Sequence, residues 1–200
     1  MAHTPLSKLE KYPEIPPDLI KYEFFQTPPA PILSLINATP SPIEWSSARI
    51  LDVGAGRGSI GRTIKENTGA IVDSIEIRSE EKQNLSAHSD HIWMEDYLQW
   101  TPPEGYTPNV IISNPPFSRA VDIVERSFHL FPNCPLVIFQ RLDWMGSKKR
   151  STFFNAHPVE ALMVLSQRPC FLTHSTQRDV WTYAWFMWNI PKEHHGIRSI

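Results

Sequence analysis

The stretch 49-RILDVGAGRGSIGR-62 runs from an apolar segment into four of the chain's eight glycines. Ile50, Leu51 and Val53 read as a short buried strand, and residues 59–67 read as a helix. A strand, a tight glycine turn and a helix start make a site for an anionic or polar ligand. The glycines let the backbone approach closely, and the helix start offers unpaired N–H groups. The turn can be counted in two registers. From Gly56 it is GxGxxG, through Gly58 and Gly61; from Gly54 it is GxGxG, through Gly56 and Gly58. The strand favours the second, because Gly54 directly follows Val53. In that register Gly61 is a small residue one turn into the helix, read as packing. Asp52 then lies at the strand end, where a carboxylate suits a cationic or ammonium-bearing ligand and repels a pyrophosphate.

Working outward, strands and helices alternate. Residues 70–77, 91–94, 110–113, 136–140, 160–166 and 180–189 read as strands. A helix starts at Ser79, with Glu80 and Glu81 where the dipole favours acids. Residues 119–131 carry Val121, Val124, Phe128 and Phe131 at amphipathic helical spacing, and residues 149–155 read as a further helix. This alternation predicts an α/β fold: a mostly parallel sheet with helices on both faces, in three layers. The final run, WTYAWFMWN, has no helix after it and is expected to insert antiparallel at one edge. Within it Trp181 and Trp185 share a face and Trp188 points to the other, as packing rather than as base platforms.

Seven prolines between Pro5 and Pro31 crowd the first part of the chain, so that part cannot be one long helix. Residues 1–22 are expected to form an arm of turns and short helices, residues 23–192 a single domain, and residues 193–200 a polar tail. No apolar run is long enough to cross a bilayer, and the N-terminus lacks the apolar centre of a signal peptide. The reading is a soluble, cytoplasmic chain with no membrane partner. Cys134 and Cys170 fit no metal spacing and read as small buried residues. A formal net charge of -2 neither announces a nucleic-acid partner nor excludes one. The compact basic patch is Lys148, Lys149 and Arg150; Arg141, just past a strand's carboxyl end, is expected to face the site.

Two further elements carry chemistry. Glu76 ends the second strand, where an acid accepts hydrogen bonds from both ribose hydroxyls of an adenosine group. Nicotinamide cofactors and S-adenosylmethionine both bring that group, so Glu76 does not choose between them, whereas Asp52 favours the sulfonium and amino groups of the second. The stretch 110-VIISNPPFSRA-120 is more specific. Pro115 and Pro116 fix the backbone after a strand and remove two donors. What remains is a rigid corner suited to a planar substrate bearing an NH2 group. The Asn114 side-chain oxygen and the Pro115 carbonyl can accept its two hydrogens, and Phe117 can stack on the plane.

With that corner the chain resembles the class I S-adenosylmethionine-dependent amino-methyltransferases that carry an (Asp/Asn/Ser)-Pro-Pro-(Tyr/Phe) motif, over roughly residues 22–190. The resemblance implies a Rossmann-like methyltransferase sheet with Asn114, Pro115, Pro116 and Phe117 as the catalytic corner. It implies S-adenosylmethionine held by Asp52, Gly54, Gly56, Gly58 and Glu76. Asp96 matches the acid that meets the donor's adenine amine, with Tyr97 or Leu98 beside the ring. The stretch 24-FFQTPPAPILSLINA-38 looks like the F-x-TP segment of DNA-modifying adenine methyltransferases, which places Phe25 and Thr27 at the methionine end. The order of segments implies adenine N6 in DNA as substrate, with Lys148, Lys149, Arg150 and Arg141 toward the nucleic acid. The tail resembles small phage and prophage methyltransferase-like proteins. One departure is that the chain has no room for a separate target-recognition domain, so a protein partner, a short insertion or relaxed specificity is needed. The same corner occurs in methyltransferases of RNA base amines and of protein glutamine amides. A donor-binding subunit without turnover is a further reading. The chemistry needs no metal and no catalytic cysteine.

Overall fold

The computed structural model describes residues 23–171 and 179–200; the arm expected at 1–22 lies outside the described residues. In chain order the elements are α1 (Pro29–Ile36), β1 (Arg49–Val53), α2 (Ser59–Thr68), β2 (Ile71–Ile75), α3 (Lys82–Ser86), β3 (His91–Trp93) and β4 (Val110–Ser113). Then come α4 (Ala120–Leu130), β5 (Leu136–Arg141), α5 (Ser151–Ala156), β6 (Ala161–Val164), β7 (Tyr183–Trp188) and β8 (Gly196–Ser199). Pro29 opens α1 at a position whose N–H would have no helical partner anyway.

Period-two alternation sends the strand side chains to two cores. Ile50, Val110, Ile112, Val137, Phe139, Trp185 and Met187 meet Ile32 and Leu35 of α1 and Ile60 and Ile64 of α2 on one face. Leu51, Val53, Ile111, Leu136, Ile138, Phe186 and Trp188 meet Ile123 and Val124 of α4 and Phe153 of α5 on the other. Fully burying one such side chain contributes about 1.5–3 kcal/mol. The indole N–H of Trp185 also donates to the Pro31 carbonyl at 3.1 Å, tying β7 to the start of α1.

The sheet order is β3-β2-β1-β4-β5-β7-β6-β8. β1 pairs in parallel with both β2 and β4. The chain therefore builds outward in one direction from β1 to β3, then crosses back to β4 and β5. The gap at the carboxyl ends of β1 and β4 is a topological switch point, where open α/β sheets bind ligands. β7 runs antiparallel to both β5 and β6, and β8 returns parallel to β6. The three-layer, mostly parallel sheet with an antiparallel insertion toward one edge is thus as expected.

Four details differ from the sequence reading. β7 is not outermost: it pairs with β5 on one side and β6 on the other, and all six of its residues are buried. Residues 193–200 are not simply a tail, since Gly196–Ser199 form the edge strand β8, whose side chains are mostly exposed. Trp181 lies before the strand and is 41% exposed, while Trp185 and Trp188 occupy opposite cores. Cys134 and Cys170 are half-buried rather than buried.

Gly61 sets the distance between α2 and the sheet. A Cβ built there would stand 2.7 Å from Val72 Cγ1 and 3.3 Å from Asp52 Oδ2. Valine is stiff at χ1 and cannot swing away. Gly61→Val is expected to cost about 2 kcal/mol or more, read as a lower urea midpoint. An unchanged midpoint would show that α2 can lift from the sheet freely.

Candidate active site

A cavity of about 340 Å³ opens at the carboxyl ends of β1, β2 and β4, a volume in the range of small-molecule sites. The sequence-expected residues Phe25, Thr27, Gly54, Glu76, Asp96, Tyr97, Asn114 and Pro116 all line it. Leu98 does so as well. They come from segments between 25 and 116 in the chain, and the switch point brings them together.

The glycine turn is forced by its backbone. Gly54, Gly56 and Gly58 have φ of +64°, +59° and +75°, the left-handed region. At Gly58 the space is closed too, because a Cβ would fall 1.7 Å from the buried His88 Nε2. The turn is locked to β2 through Glu76: its Oε2 accepts from the Gly56 N–H at 2.6 Å. Its Oε1 accepts from the backbone N–H and Nε of Arg78 at 2.9 and 3.2 Å. Arg78 is itself buried and reaches Glu81 at 3.1 Å. The Glu76 carboxylate is therefore charge-compensated and held still at the cavity wall, with lone pairs left for further donors. Across the cavity, Asp96 Oδ1 accepts from the Leu98 N–H at 3.0 Å, and the Tyr97 hydroxyl meets Ser127 Oγ at 3.0 Å. Burial pushes the Tyr97 phenol up to about 12, so it stays neutral.

Asp52 departs from expectation. It lies on the same face of β1 as Ile50, so it turns toward α2 and does not line the cavity. Its Oδ2 accepts from the Gly61 N–H at 3.1 Å, and its Oδ1 is buried without a partner. Burial raises its pKa to about 7; the Gly61 hydrogen bond opposes this and the nearby Glu76 adds to it.

At the corner, Asn114 Nδ2 donates to the Phe25 carbonyl at 3.0 Å and to Thr27 Oγ1 at 2.9 Å. With both amide hydrogens committed, Oδ1 is the side chain's remaining polar atom, and the residue lines the cavity. Pro115 O accepts from Gln140 Nε2 at 2.9 Å, which orients that carbonyl and leaves it a second lone pair. Phe117 packs on the α1–α2 core beside Phe25, with its ring under the Arg141 guanidinium at 4.7 Å. Arg141 thus stands beside the corner, though it is not part of the cavity lining. Lys148 and Lys149 are exposed on the short turn Lys148–Arg150 and lie apart from the cavity lining. Arg150 differs: its Nε donates to the Trp144 carbonyl at 2.6 Å, so part of its capacity is spent on the fold.

Sequence reasoning missed Phe24, Arg78 and Gln140. The Phe24 ring lies on Gly56, 2.4 Å from where a Cβ would be, with the Arg78 guanidinium 4.1 Å from its centroid. Arg78 stands two residues after Glu76 and Gln140 directly before Arg141; these adjacencies were the available signals.

With this geometry in place, comparison with solved structures identifies the architecture. The chain has the Rossmann-like methyltransferase fold. It superposes on a structure described as a candidate RNA methyltransferase from Pyrococcus horikoshii with a TM-score of 0.61, at 14% identity, over 91% of this chain and 95% of that one. It matches the 23S rRNA methyltransferase ErmE with a TM-score of 0.54, at 17% identity, over 84% and 71% of the two chains. The plantazolicin methyltransferase BpumL, in complex with SAH, gives 0.50 at 12% identity over 80% and 81%. No protein-family model and no curated protein sequence matches the chain. Among the described residues no helix is long and apolar enough to cross a membrane.

The buried Asp52 generates a pH prediction. Its folded pKa, about 7, lies above its ordinary value of 3.8, so the native state holds a proton that the unfolded state has released. Its contribution is therefore fully present below pH 3.8 and is lost as pH rises through about 7. Asp52→Asn is expected to remove that downward slope, seen as the difference between the two proteins' urea midpoints across this window. Parallel pH profiles would contradict the assignment.

Proposed function

We propose that this protein transfers a methyl group from S-adenosylmethionine to the exocyclic amine of a nucleic-acid base, with adenine N6 in DNA as the substrate. The observation that carries the reading is the Asn114 side chain: its two N–H groups are spent on Phe25 and Thr27, so an acceptor oxygen is held rigidly at the cavity. The cavity fits the donor in volume and chemistry. Glu76 stands where ribose hydroxyls can donate to it, and Asp96 where an adenine amine can, with Tyr97 and Leu98 as walls. The superposition on structures described as methyltransferases supports the same cofactor.

S-adenosylmethionine, when bound, supplies an electrophilic methyl group on a cationic sulfur. Asn114 Oδ1 and the Pro115 carbonyl accept the two hydrogens of the substrate amine. That draws the nitrogen lone pair out of conjugation and aims it along the attack line. Gln140 keeps the Pro115 carbonyl in place while this happens. As the C–N bond forms, the methyl C–S bond of the donor would break with its electron pair going to sulfur, leaving neutral S-adenosylhomocysteine, and the nitrogen would then lose one hydrogen to solvent as a proton. Catalysis is positioning and preorganised electrostatics, without a covalent enzyme intermediate. A base within a duplex cannot reach this corner, so it must be flipped out or arrive single-stranded.

The choice of DNA adenine rests on the F-x-TP resemblance of residues 25–28. An RNA base is the second reading, favoured by the likeness to structures described as RNA methyltransferases. Labelled methyl transfer to DNA, RNA and a glutamine-bearing protein, followed by digestion, separates them. N6-methyldeoxyadenosine is the expected product; label confined to protein would overturn the reading. Asn114→Ala is expected to lower kcat by about 10²-fold and, because the amide also fastens Phe25 and Thr27, to weaken donor binding, measured by calorimetry, by a smaller factor. Wild-type turnover in that variant would remove Asn114 from the chemistry.

A further inference from the structure

Arg141 is clamped between two aromatic rings. Its guanidinium carbon lies 4.7 Å from the Phe117 centroid and 4.8 Å from the Trp181 centroid. Phe117 belongs to the catalytic corner, and Trp181, a residue 41% exposed, stands just outside β7. The guanidinium is planar and delocalised and stacks on rings as a base does. It therefore covers a face of Phe117 that a planar substrate, with its amine at Asn114, would use.

Among the described residues the buried Arg141 Nε has no hydrogen-bond acceptor. Asp143 Oδ1 is 3.3 Å from it, close enough for ionic attraction but not aligned for a hydrogen bond. A buried donor left unsatisfied is costly, so a ligand that offers an acceptor relieves this arrangement. Lys148 and Lys149 are exposed on the turn that follows, so the positive charge continues away from the corner.

We propose that Arg141 is a placeholder for the substrate base: a nucleotide inserts between Phe117 and Trp181, and the displaced guanidinium binds the phosphate attached to that nucleotide. The inference rests on the proposed amine methylation and specifies its substrate as a phosphate-bearing nucleotide. A glutamine amide is planar but brings no anion to receive the arginine. Arg141 is then a positioning residue, and Trp181 a wall of the substrate slot.

The test compares methyl transfer to a single-stranded oligonucleotide holding one adenine with transfer to deoxyadenosine, which lacks the phosphate, across a salt series. Arg141→Met is expected to raise the KM for the oligonucleotide about tenfold and to reduce the slope of log affinity against log salt by about 0.7, one phosphate contact on a single strand. Its KM for deoxyadenosine is expected to stay level or fall, because the slot is already empty. Trp181→Ala is expected to raise KM for both substrates about fivefold or more, through lost stacking. Should Arg141→Met fail to bind S-adenosylmethionine, Arg141→Gln, planar but uncharged, carries the same salt test. A wild-type salt slope in the folded arginine variant overturns the exchange and leaves the amine reading standing. Absence of methyl transfer to either DNA or RNA by the wild-type protein overturns both.

Discussion

The Asn114 amide holds the site together. Its two hydrogen bonds reach back 89 and 87 residues to Phe25 and Thr27, and so fasten the segment before α1 to the end of β4. The same bonds commit Nδ2 and leave Oδ1 as the side chain's free acceptor. An asparagine free to flip would present a donor as often as an acceptor, and an amine substrate needs the acceptor. Ser59 at the start of α2 adds to this fastening, donating to the Thr27 carbonyl. The segment from Phe25 to Thr27 is thereby tied to both the glycine turn and the corner, the two halves of the switch point.

The charges are arranged to the same end. Glu76 would be costly at a cavity wall if bare; Arg78 and the Gly56 N–H compensate it and hold its position, while Glu81 anchors Arg78. Asp52 is treated in the opposite way, buried behind the turn with one oxygen partnerless. One carboxylate is thus presented to the cavity ready to accept hydrogen bonds, and the other is kept out of contact and near its titration point at neutral pH. Two acids of similar sequence context differ because alternation along a strand, and position at its end, send them to different surroundings.

Much of the fold was legible because its signals are local. The apolar run into Gly54, the alternation of strand and helix, and the proline stop after β4 each declare themselves within about ten residues. Most of the candidate site followed, since ligands gather at strand ends and the motif residues stand there. What was not legible depends on pairing across the chain. The interior place of β7 follows from β6 and β8 closing over it, and β8 is a polar segment with no apolar alternation to announce it. The direction of Asp52 depends on which face of β1 meets α2. The Arg141 clamp joins the end of β5, the corner after β4 and a residue before β7, three positions with no spacing rule between them. The segment's resemblance points to the ring of Phe25, whereas the fold lays the ring of Phe24 on Gly56.

A crystal structure with S-adenosylhomocysteine bound is the decisive measurement of whether this cavity holds the methyl donor in reach of Asn114. It is expected to show the ribose hydroxyls on Glu76, the adenine amine near Asp96 beside Tyr97 and Leu98, and the Phe24 ring moved off Gly56. The sulfur should face the Asn114 side-chain oxygen. A ligand bound elsewhere, with Phe24 still seated on Gly56 and the cavity empty, would contradict it.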